Sequence, residues 1–190
     1  WKGFLELPVK CAIGLTATLV RADELIKTRL LLEMGPILFQ ADWIQLTRQG
    51  YLADVKLVDV HVPLYPDFAT EAKTVHGMNT NGKFKEIRLA NLLALNPYKI
   101  RVVEALVYYL EQNTKNRILI FCDSLFPLEW YGRLLNRAVM NGSTSEENRT
   151  ILLEWFKQGK DDQGDKFQTL LFSRVGDTSL DIPNANFGIQ

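Results

Sequence analysis

The chain lacks a surplus of charge of either sign. Lysine plus arginine and aspartate plus glutamate number 22 each among 190 residues, which gives a formal net charge of zero at pH 7. Contacts to nucleic-acid phosphates draw on surplus cations, so this balance disfavours a stand-alone module that binds DNA tightly. A neutral domain can still form one wall of a groove that it shares with another domain.

Cysteine and histidine are scarce. Cys11 and Cys122 lie far apart and show neither the C-x-x-C spacing of a zinc site nor a disulfide framework, so we expect buried, reduced thiols in an intracellular protein. His61 alternates with valines as an exposed strand residue would, and His76 precedes a glycine in an expected turn. The sequence therefore indicates no nucleophile with a partner base and no metal site.

Long apolar runs and nucleotide-hydrolysis motifs are also missing. No run approaches the ~20 apolar residues of a membrane span, and nothing resembles a signal peptide, so we expect no membrane partner. A Walker A sequence and an acidic Walker B strand are absent as well. The length of 190 residues suffices for one α/β core, and the first and last residues predict a piece of a longer protein.

The segments that are present alternate between strand-like and helix-like patterns. Short apolar or β-branched runs predict strands over residues 10–15, 55–62, 118–121, 138–140, 167–172 and 185–190. Amphipathic stretches with capping residues predict helices over 24–34, 42–49, 97–110, 128–137 and 143–156. Asp23 caps the first of these helices and Gly35 ends it, whereas Asn96 and Pro97 begin the third.

The segment from 65 to 95 is ambiguous. Two moderately helical stretches, 67–75 and 84–95, flank the glycine- and asparagine-rich residues 77–83. An antiparallel helical hairpin that projects from the core fits this pattern. A long connector packed on the surface fits it equally well.

The alternation of strands and helices predicts the fold class. Successive βαβ units with right-handed crossovers give an α/β fold with an open, mostly parallel sheet and helices on both faces. Ligands of such sheets lie beyond the carboxyl ends of the strands. Polar segments fall there at 122–124, 141–145 and 173–181. The predicted topology therefore brings these loops together at one edge of the sheet.

The last of these loops has the chemistry of a phosphate and ribose site. Ser173, Thr178 and Ser179 can donate to phosphate oxygens, while Gly176 permits close approach of the backbone. Asp181 can accept from ribose hydroxyls. A polar turn that satisfies its own backbone would have a similar composition.

The predicted helix start at 143–147 is a second candidate phosphate site. Its sequence Ser-Thr-Ser-Glu-Glu contains two overlapping capping boxes. A helix start exposes free N–H groups that bind phosphate, with small hydroxyls beside them here. Most such sequences only begin a helix, so a purely structural role is the alternative.

Several stretches resemble helicase motifs, in the order in which a helicase carries them. GLTATLVRADE at 14–24 resembles motif III, and RILIFCDS at 117–124 resembles motif IV. SRVGDTSLDIPNANFGIQ at 173–190 resembles motif V together with the strand that follows it. Narrower signatures are GPILFQADW at 35–43, NPYK at 96–99 and G-x-T-S-x-x-x-R at 142–149. Together they resemble the XPB-type DNA translocases of helicase superfamily two, over all of the chain except its middle, around 66–90.

The resemblance implies a domain layout and a biological role. Residues 1–22 would end a first RecA-like lobe, and residues 23–190 would form the second RecA-like lobe, incomplete at its carboxyl end. The segment at about 66–95 would be a thumb-like insertion that grips DNA. Members of the family couple ATP hydrolysis to translocation on duplex DNA and to 3′-to-5′ unwinding. Those of eukaryotes act within TFIIH in transcription initiation and nucleotide excision repair, which implies a nuclear location and, as partners, DNA, the first lobe and other TFIIH subunits.

The resemblance also implies roles for individual residues. DNA-binding roles fall on Ser124, Thr144, Ser145, Ser173, Arg174 and Gly176. Roles in coupling the ATP site to DNA fall on Thr16, Ala17, Thr18, Arg21 and Asp23, and ATP-facing roles on Ser179 and Asp181. ATP and Mg²⁺ would be cofactors of the full-length protein, with none bound by this chain alone.

The chain departs from the family pattern at one triplet. An R-E-D sequence linked to unwinding follows motif III in the family, whereas this chain has Arg21-Ala22-Asp23, followed by Glu24. The resemblance implies that loss of the middle carboxylate affects strand separation more than ATP use, unless Glu24 takes its place. Motifs I, II and VI, with the arginine finger, lie outside the chain. Because a motor needs phosphate cradle, magnesium-binding acid and finger together, we expect no ATPase activity from this chain alone.

Two other functional classes compete with a motor lobe. A RecA-like lobe retained as a protein-interaction scaffold, with degenerate motor chemistry, would fit the neutral charge and Ala22. The second lobe of a nucleotide-sugar transferase also binds diphosphates at strand ends, but the sequence GLTATL argues against it.

Overall fold

The computed structural model describes residues 10, 11, 13–15, 35–78, 82–173, 182 and 184–190. Contacts divide the chain into two compact units, Trp1–Asp59 and Val60–Gln190. The predicted domain boundary between residues 22 and 23, and the predicted helix over 24–34 with its cap Asp23, lie outside the described residues and stay predictions.

The first unit contains one helix among its described residues, α1 (Trp43–Arg48). Asp42 caps this helix, since its carboxylate accepts a hydrogen bond from the backbone N–H of Ile44 at 2.8 Å. Gly50 follows the helix with a φ of 79°, the left-handed conformation that glycine adopts at low cost. The helix predicted over 42–49 is therefore confirmed.

The second unit is built around a parallel sheet. Its elements are α2 (Pro66–Gly77), α3 (Gly82–Ala94), α4 (Pro97–Glu111), β1 (Ile118–Phe121), α5 (Leu125–Leu135), β2 (Ala138–Met140), α6 (Glu146–Gln158), β3 (Thr169–Phe172) and β4 (Phe187–Ile189). The strands lie in the order β2-β3-β1-β4, and every neighbouring pair is parallel. None of the helices in the described ranges has both the length and the apolar character needed to cross a bilayer.

Helices cover both faces of the sheet. On one face α4 and α5 pack against β1 and β3, through Val103, Val107, Ile118, Ile120, Leu128, Tyr131 and Leu171. On the other face α6 packs against all but the edge strand β4, through Leu119, Met140, Phe156, Leu170 and Phe172. The alternation of successive strand residues between the two clusters is what parallel strands covered on both faces require. The predicted open, parallel α/β fold is confirmed.

Two predicted strands are wrong. Residues 55–62 belong to no helix or strand, and the side chain of Leu57 is 94% exposed. The described part of residues 10–15 is also outside any strand and exposed, including Cys11, which we expected to be buried. Alternating β-branched residues favour an extended backbone, but a strand forms only where a neighbour supplies hydrogen bonds. In the part of the chain that the structure describes, the sheet draws all its strands from residues after 117.

The ambiguous middle segment is a helical hairpin. Its two helices, α2 and α3, contact each other, and Arg88 forms an ion pair with Glu71. Nearer the tip, Lys85 Nζ donates to the backbone oxygen of His76 at 3.3 Å. Because later residues of α3 contact earlier residues of α2, the helices are antiparallel, as the hairpin alternative predicted. His76 is exposed, although it lies in the last turn of α2 and not in a separate turn.

A buried asparagine closes the base of this hairpin. Asn96 Oδ1 accepts from the backbone N–H of Tyr65 at 3.0 Å, and Asn96 Nδ2 donates to the backbone oxygen of Pro63 at 2.8 Å. The same oxygen accepts from the N–H of Tyr98 at 3.4 Å and so caps α4, as predicted. One side chain therefore joins the chain entering the hairpin to the helix that follows it.

A tyrosine attaches the other end of the hairpin to α5. The hydroxyl of Tyr131, on α5, donates to the backbone oxygen of Ala94 at 2.8 Å. Burial raises the pKa of Tyr131 to about 12, with smaller contributions from Cys122 and Glu104, so the hydroxyl stays a neutral donor. The hairpin is consequently held at both of its ends by hydrogen bonds to the core.

Helix α5 begins three residues earlier than predicted, at Leu125 and not at Leu128. Pro127 lies in its first turn, where the missing N–H costs nothing because the first N–H groups of a helix have no intrahelical partner. The helix ends at Asn136, whose φ of 49° is left-handed. The early start makes Ser124 the residue that precedes the helix.

The amino ends of the strands carry a polar network. Arg137 donates to both carboxylate oxygens of Glu111, at 2.8 and 2.6 Å, and Thr169 Oγ1 donates to one of them at 2.6 Å. Burial opposes ionisation of Glu111, but these hydrogen bonds and the charges of Arg137 and Lys166 outweigh it, so the pKa of Glu111 is lowered. The network joins α4, β2 and β3 at the edge opposite the predicted loops.

We expect Glu111→Gln to destabilise the chain and to flatten its acid response. A glutamate with a lowered pKa stabilises the fold above its ordinary titration range, and this contribution is lost as the pH falls through the lowered pKa. At pH 7 the variant should lose ~1–3 kcal/mol of unfolding free energy, because Arg137 keeps no ionised partner. Urea unfolding between pH 7 and pH 3 measures both effects. The exposed Glu129→Gln is the control, and an equal pH slope in the Glu111 variant and the wild type would contradict the assignment.

The turn after α6 contains a glycine that no other residue can replace without strain. Gly159 has a φ of 80°, and a Cβ there would collide with the guanidinium of Arg117. That guanidinium donates to the backbone oxygens of Phe156 at 2.7 Å and Thr114 at 3.0 Å. Arg117 therefore joins the end of α6 to the start of β1.

Gly159→Ala should destabilise the chain more than Gly164→Ala. Both glycines have a positive φ, which costs an L-residue about 1–2 kcal/mol. A Cβ on Gly164 meets nothing within 4 Å, so the difference between the variants isolates the displacement of Arg117. Urea unfolding of both variants gives this difference. Equal losses would show that the Arg117 contacts contribute nothing to stability.

Candidate nucleic-acid interface

The carboxyl ends of three strands lie level with one another. Phe172 of β3 is paired in register with Phe121 of β1 and with Met140 of β2. The alignment continues one residue further, because the N–H of Cys122 donates to Phe172 O at 3.0 Å and the N–H of Ser173 donates to Met140 O at 3.2 Å. The loops that hold Ser124, Thr144 and Ser173 therefore leave the sheet from one edge, called here the carboxyl edge.

Ser124 is the predicted site residue with the most available chemistry. It is the N-cap of α5, yet its side chain makes no capping hydrogen bond, and its hydroxyl has no partner among the residues that the structure describes. The first N–H groups of a helix have no intrahelical partner, and α5 has no acidic residue in its first turn. A hydroxyl, free N–H groups and the helix dipole all favour an anion at this position.

The loop after β2 is organised by Asn141. Its Oδ1 accepts from the N–H of Ser143 at 2.9 Å and from the Ser143 hydroxyl at 2.7 Å. Its own N–H donates to Thr144 Oγ1 at 3.0 Å, and Arg149 donates to its backbone oxygen at 3.3 Å. The Thr144 hydroxyl thus accepts one hydrogen bond and donates another, with 3.5 Å between its oxygen and Asn141 Oδ1.

The start of α6 differs from the prediction. Ser145, and neither Ser143 nor Thr144, is the N-cap, and its hydroxyl accepts from the N–H of Asn148 at 3.3 Å. The two hydroxyls of the predicted capping boxes fail to cap because they bind Asn141 instead. The Ser145 hydroxyl keeps its proton for a further acceptor, whereas the Thr144 hydroxyl donates to Asn141 Oδ1.

Charges at the start of α6 oppose an anion more than those at the start of α5. Glu146 and Glu147 lie in the first turn of α6 and are exposed. Arg149 compensates only in part, since its guanidinium lies 3.9 Å from Glu146 and also binds Asn141. Of the two helix starts at the carboxyl edge, that of α5 is the better phosphate site.

The structure places only part of the predicted site. Ser173 is buried directly after β3, and its N–H donates to the backbone oxygen of Met140. Ser173 also has a further interaction within the chain, so it is not an unpaired residue waiting for a ligand. Outside the described residues lie Thr16, Ala17, Thr18, Arg21, Asp23, Arg174, Gly176, Ser179 and Asp181. Their roles in coupling, ATP contact and DNA contact stay predictions.

One thiol lies at the carboxyl edge directly after β1. Cys122 is half-buried, whereas we expected it to be fully buried. Burial raises the pKa of the Cys122 thiol, the charge of Lys99 lowers it, and the carboxylate of Asp123 raises it further. The thiol therefore stays protonated and is no nucleophile, and its surroundings reveal a cation that the sequence did not assign to the site.

That cation is Lys99, in the first turn of α4. The sequence predicted the start of this helix at Asn96 and Pro97 but gave Lys99 no role. Lys99 lies at the carboxyl edge because α4 packs antiparallel to β1. This packing follows from the alternation of helices and strands, so the predicted topology could have located Lys99. Sequence position alone could not do so, because Lys99 precedes Ser124 by a whole helix and a strand.

Comparison with known proteins identifies the family. The family described as ERCC3/RAD25/XPB C-terminal helicase matches residues 46–190. The Arabidopsis thaliana "General transcription and DNA repair factor IIH helicase/translocase subunit XPB1" is 39% identical over 180 residues, covering 95% of this chain and 22% of that protein. The Trypanosoma brucei brucei "TFIIH basal transcription factor complex helicase/translocase XPB subunit" is 36% identical over 97% of this chain and 19% of its own length.

A vertebrate relative gives the same match. The Danio rerio "General transcription and DNA repair factor IIH helicase/translocase subunit XPB" is 36% identical over 95% of this chain and 21% of its own length. The chain thus spans about a fifth of the length of these relatives. With the family match over residues 46–190 and the parallel sheet in place, the chain belongs to the ERCC3/RAD25/XPB C-terminal helicase family.

Proposed function

We propose that the chain is the nucleic-acid-binding wall of the second lobe in an ATP-dependent DNA helicase or translocase. The observation that carries the proposal is the carboxyl edge, where parallel register brings the loops after β1, β2 and β3 together. The names of the relatives, which describe helicase/translocase subunits of factor IIH, support the reaction class. The proposal concerns the longer protein, in which this chain is one part.

The chemistry of the edge suits a sugar–phosphate backbone and not a base sequence. Its available groups are the hydroxyls of Ser124 and Ser145 and the N–H groups at the start of α5. Hydroxyls and backbone N–H groups are typical phosphate donors and carry no sequence information. Binding through them is independent of sequence, as a motor that travels along DNA requires.

We assign the helical hairpin α2–α3 to a grip on the DNA outside the edge. Its helices hold each other through the Arg88–Glu71 ion pair, and Asn96 and Tyr131 fix both ends to the core. Phe84, near the start of α3, is 51% exposed, with the basic side chain of Lys85 beside it. An exposed aromatic ring next to a cation is suited to stacking on a base and contact with a phosphate.

The ATP-dependent part of the function rests on the family alone. We propose that Ser179 and Asp181 face ATP and that Thr16, Ala17, Thr18, Arg21 and Asp23 couple the ATP site to DNA. Within the described residues there is no cluster of three acidic, histidine or cysteine side chains that could hold a metal ion. On the family resemblance we assign ATP and Mg²⁺ to the longer protein, together with 3′-to-5′ unwinding and a nuclear location. We assign the first lobe and other TFIIH subunits to it as partners, and weaker strand separation to Ala22.

A protein-interaction scaffold is the second candidate function, and the surface of α5 favours it. Large apolar side chains stand exposed on this helix, with Leu125 at 53% and Phe126 at 60%. Trp130 and Leu134 are partly exposed on the same helix. Exposed apolar side chains in such number suit a protein partner better than a phosphate backbone.

The proposal predicts weak, salt-sensitive binding of DNA that depends on the carboxyl edge. Ser124→Ala should weaken binding by about tenfold or more, the loss of one hydrogen bond to a charged group. Thr114→Ala is the matched control, because Thr114 is exposed in the turn before β1, at the opposite edge. Fluorescence anisotropy with labelled duplex and single-stranded DNA at low salt measures the dissociation constants, and circular dichroism checks the fold.

Two results would contradict the proposal. A folded wild-type chain that binds neither duplex nor single strand would favour the scaffold. Equal weakening by Ser124→Ala and Thr114→Ala would show that the carboxyl edge is not the binding surface.

A further inference from the structure

The geometry of α4 places Lys99 beside the loop after β1. Glu111, the last residue of α4, accepts from Thr169, the first residue of β3, and Thr169 is paired with Ile118, the first residue of β1. The carboxyl end of α4 therefore lies at the amino edge of the sheet. At ~1.5 Å per residue, Lys99 lies about 18 Å from Glu111 along the helix axis.

The same distance along the sheet reaches the residues after β1. From Ile118 to Cys122 the chain spans ~13 Å, at about 3.3 Å per residue, and Asp123 and Ser124 follow beyond the end of the strand. Helix α4 packs on this face of the sheet, since Val103 and Val107 share a cluster with Ile118 and Ile120. The first turn of α4 is thus level with the segment that ends in Ser124.

The side chain of Lys99 is a cation without a partner. It is half-buried, and it forms no hydrogen bond or ion pair with any residue the structure describes. Its charge reaches the thiol of Cys122 and lowers the pKa that burial raises, which agrees with the geometric placement. The exposed carboxylate of Asp123 acts on the same thiol in the opposite direction, so Lys99 offsets the negative charge nearest to Ser124.

The stability of α4 does not explain a lysine at this position. The amino end of a helix is the positive end of its dipole, so a cation in the first turn is unfavourable and an acidic residue is favourable. The first turn of α4 nevertheless contains Lys99 and no acidic residue. Asn96 and Pro97 fix this turn in place, so the lysine cannot move away with a frayed helix end.

We propose that Lys99 binds a phosphate of the nucleic-acid backbone next to the phosphate that Ser124 contacts. The inference rests on the proposed function and adds to it the principal cation of the site. The positive end of α4, the ammonium of Lys99 and the start of α5 all favour an anion at this edge, and the carboxylate of Asp123 opposes it. Lysine is a point charge with rotatable donors, so the contact adds affinity without sequence preference.

The test is the salt dependence of DNA binding by the whole 190-residue chain. Each phosphate contact by a cation adds about one to the slope of log affinity against log salt. Lys99→Ala should reduce this slope by about one and weaken binding about fivefold, while Lys99→Arg should retain both. Lys115→Ala is the matched control, because Lys115 is exposed in the turn before β1, at the opposite edge.

Thermal unfolding separates ligand binding from a structural role. If Lys99 serves the ligand, Lys99→Ala should melt at the wild-type temperature or slightly above, because a cation is removed from the positive end of a helix. A lower melting temperature, with the salt slope unchanged, would assign the residue to the fold and overturn the inference.

The outcomes distinguish this inference from the proposed function. DNA binding by the wild type that Lys99→Ala and Lys115→Ala weaken equally, or not at all, would overturn the role of Lys99 and leave the proposed function standing. No DNA binding by the folded wild type would overturn both. A reduced slope for Lys99→Ala alone is the expected result.

Discussion

The pairing of β3 with a strand on each side is the constraint on which the rest of the structure depends. Leu170, Leu171 and Phe172 are buried on both faces, and their backbones bond to β1 on one side and β2 on the other. Parallel strands need connections that cross a face of the sheet, which places α5 and α6 on opposite faces. The same register sets the three strand ends level, so the loops after β1, β2 and β3 leave the sheet at one edge.

The two edges of the sheet differ in how their polar groups are used. At the amino edge Glu111, Arg137 and Thr169 bind one another, and the guanidinium of Arg117 binds backbone oxygens at the end of α6 and in the turn before β1. At the carboxyl edge the Ser124 hydroxyl and the Lys99 ammonium have no such partners among the described residues. Buried polar groups that satisfy one another stabilise a fold, whereas groups left available bind ligands. The mutually bonded polar groups therefore lie at the amino edge of the sheet, and the available ones lie at the carboxyl edge.

Local sequence patterns predicted the elements that are stabilised locally. The run at β1, the strand β3 and the cap of α4 by Asn96 all needed only neighbouring residues, and all are confirmed. The strand over 55–62 failed because pairing depends on a distant neighbour that alternation cannot reveal. The start of α6 failed because Asn141 competes for the hydroxyls of Ser143 and Thr144. The candidate site followed the same division, since topology predicted the edge while the role of Lys99 depends on packing between α4 and β1.

The central claim is that nucleic acid binds along the carboxyl edge of the parallel sheet. Titration of the ¹⁵N-labelled chain with unlabelled single-stranded DNA, followed by amide chemical shifts, tests it most directly. We expect shift changes concentrated at residues 98–99, 122–126 and 142–145, with residues 113–117 and 166–168 at the amino edge unchanged. Changes centred on the amino edge, or spread evenly over both faces of the sheet, would contradict it.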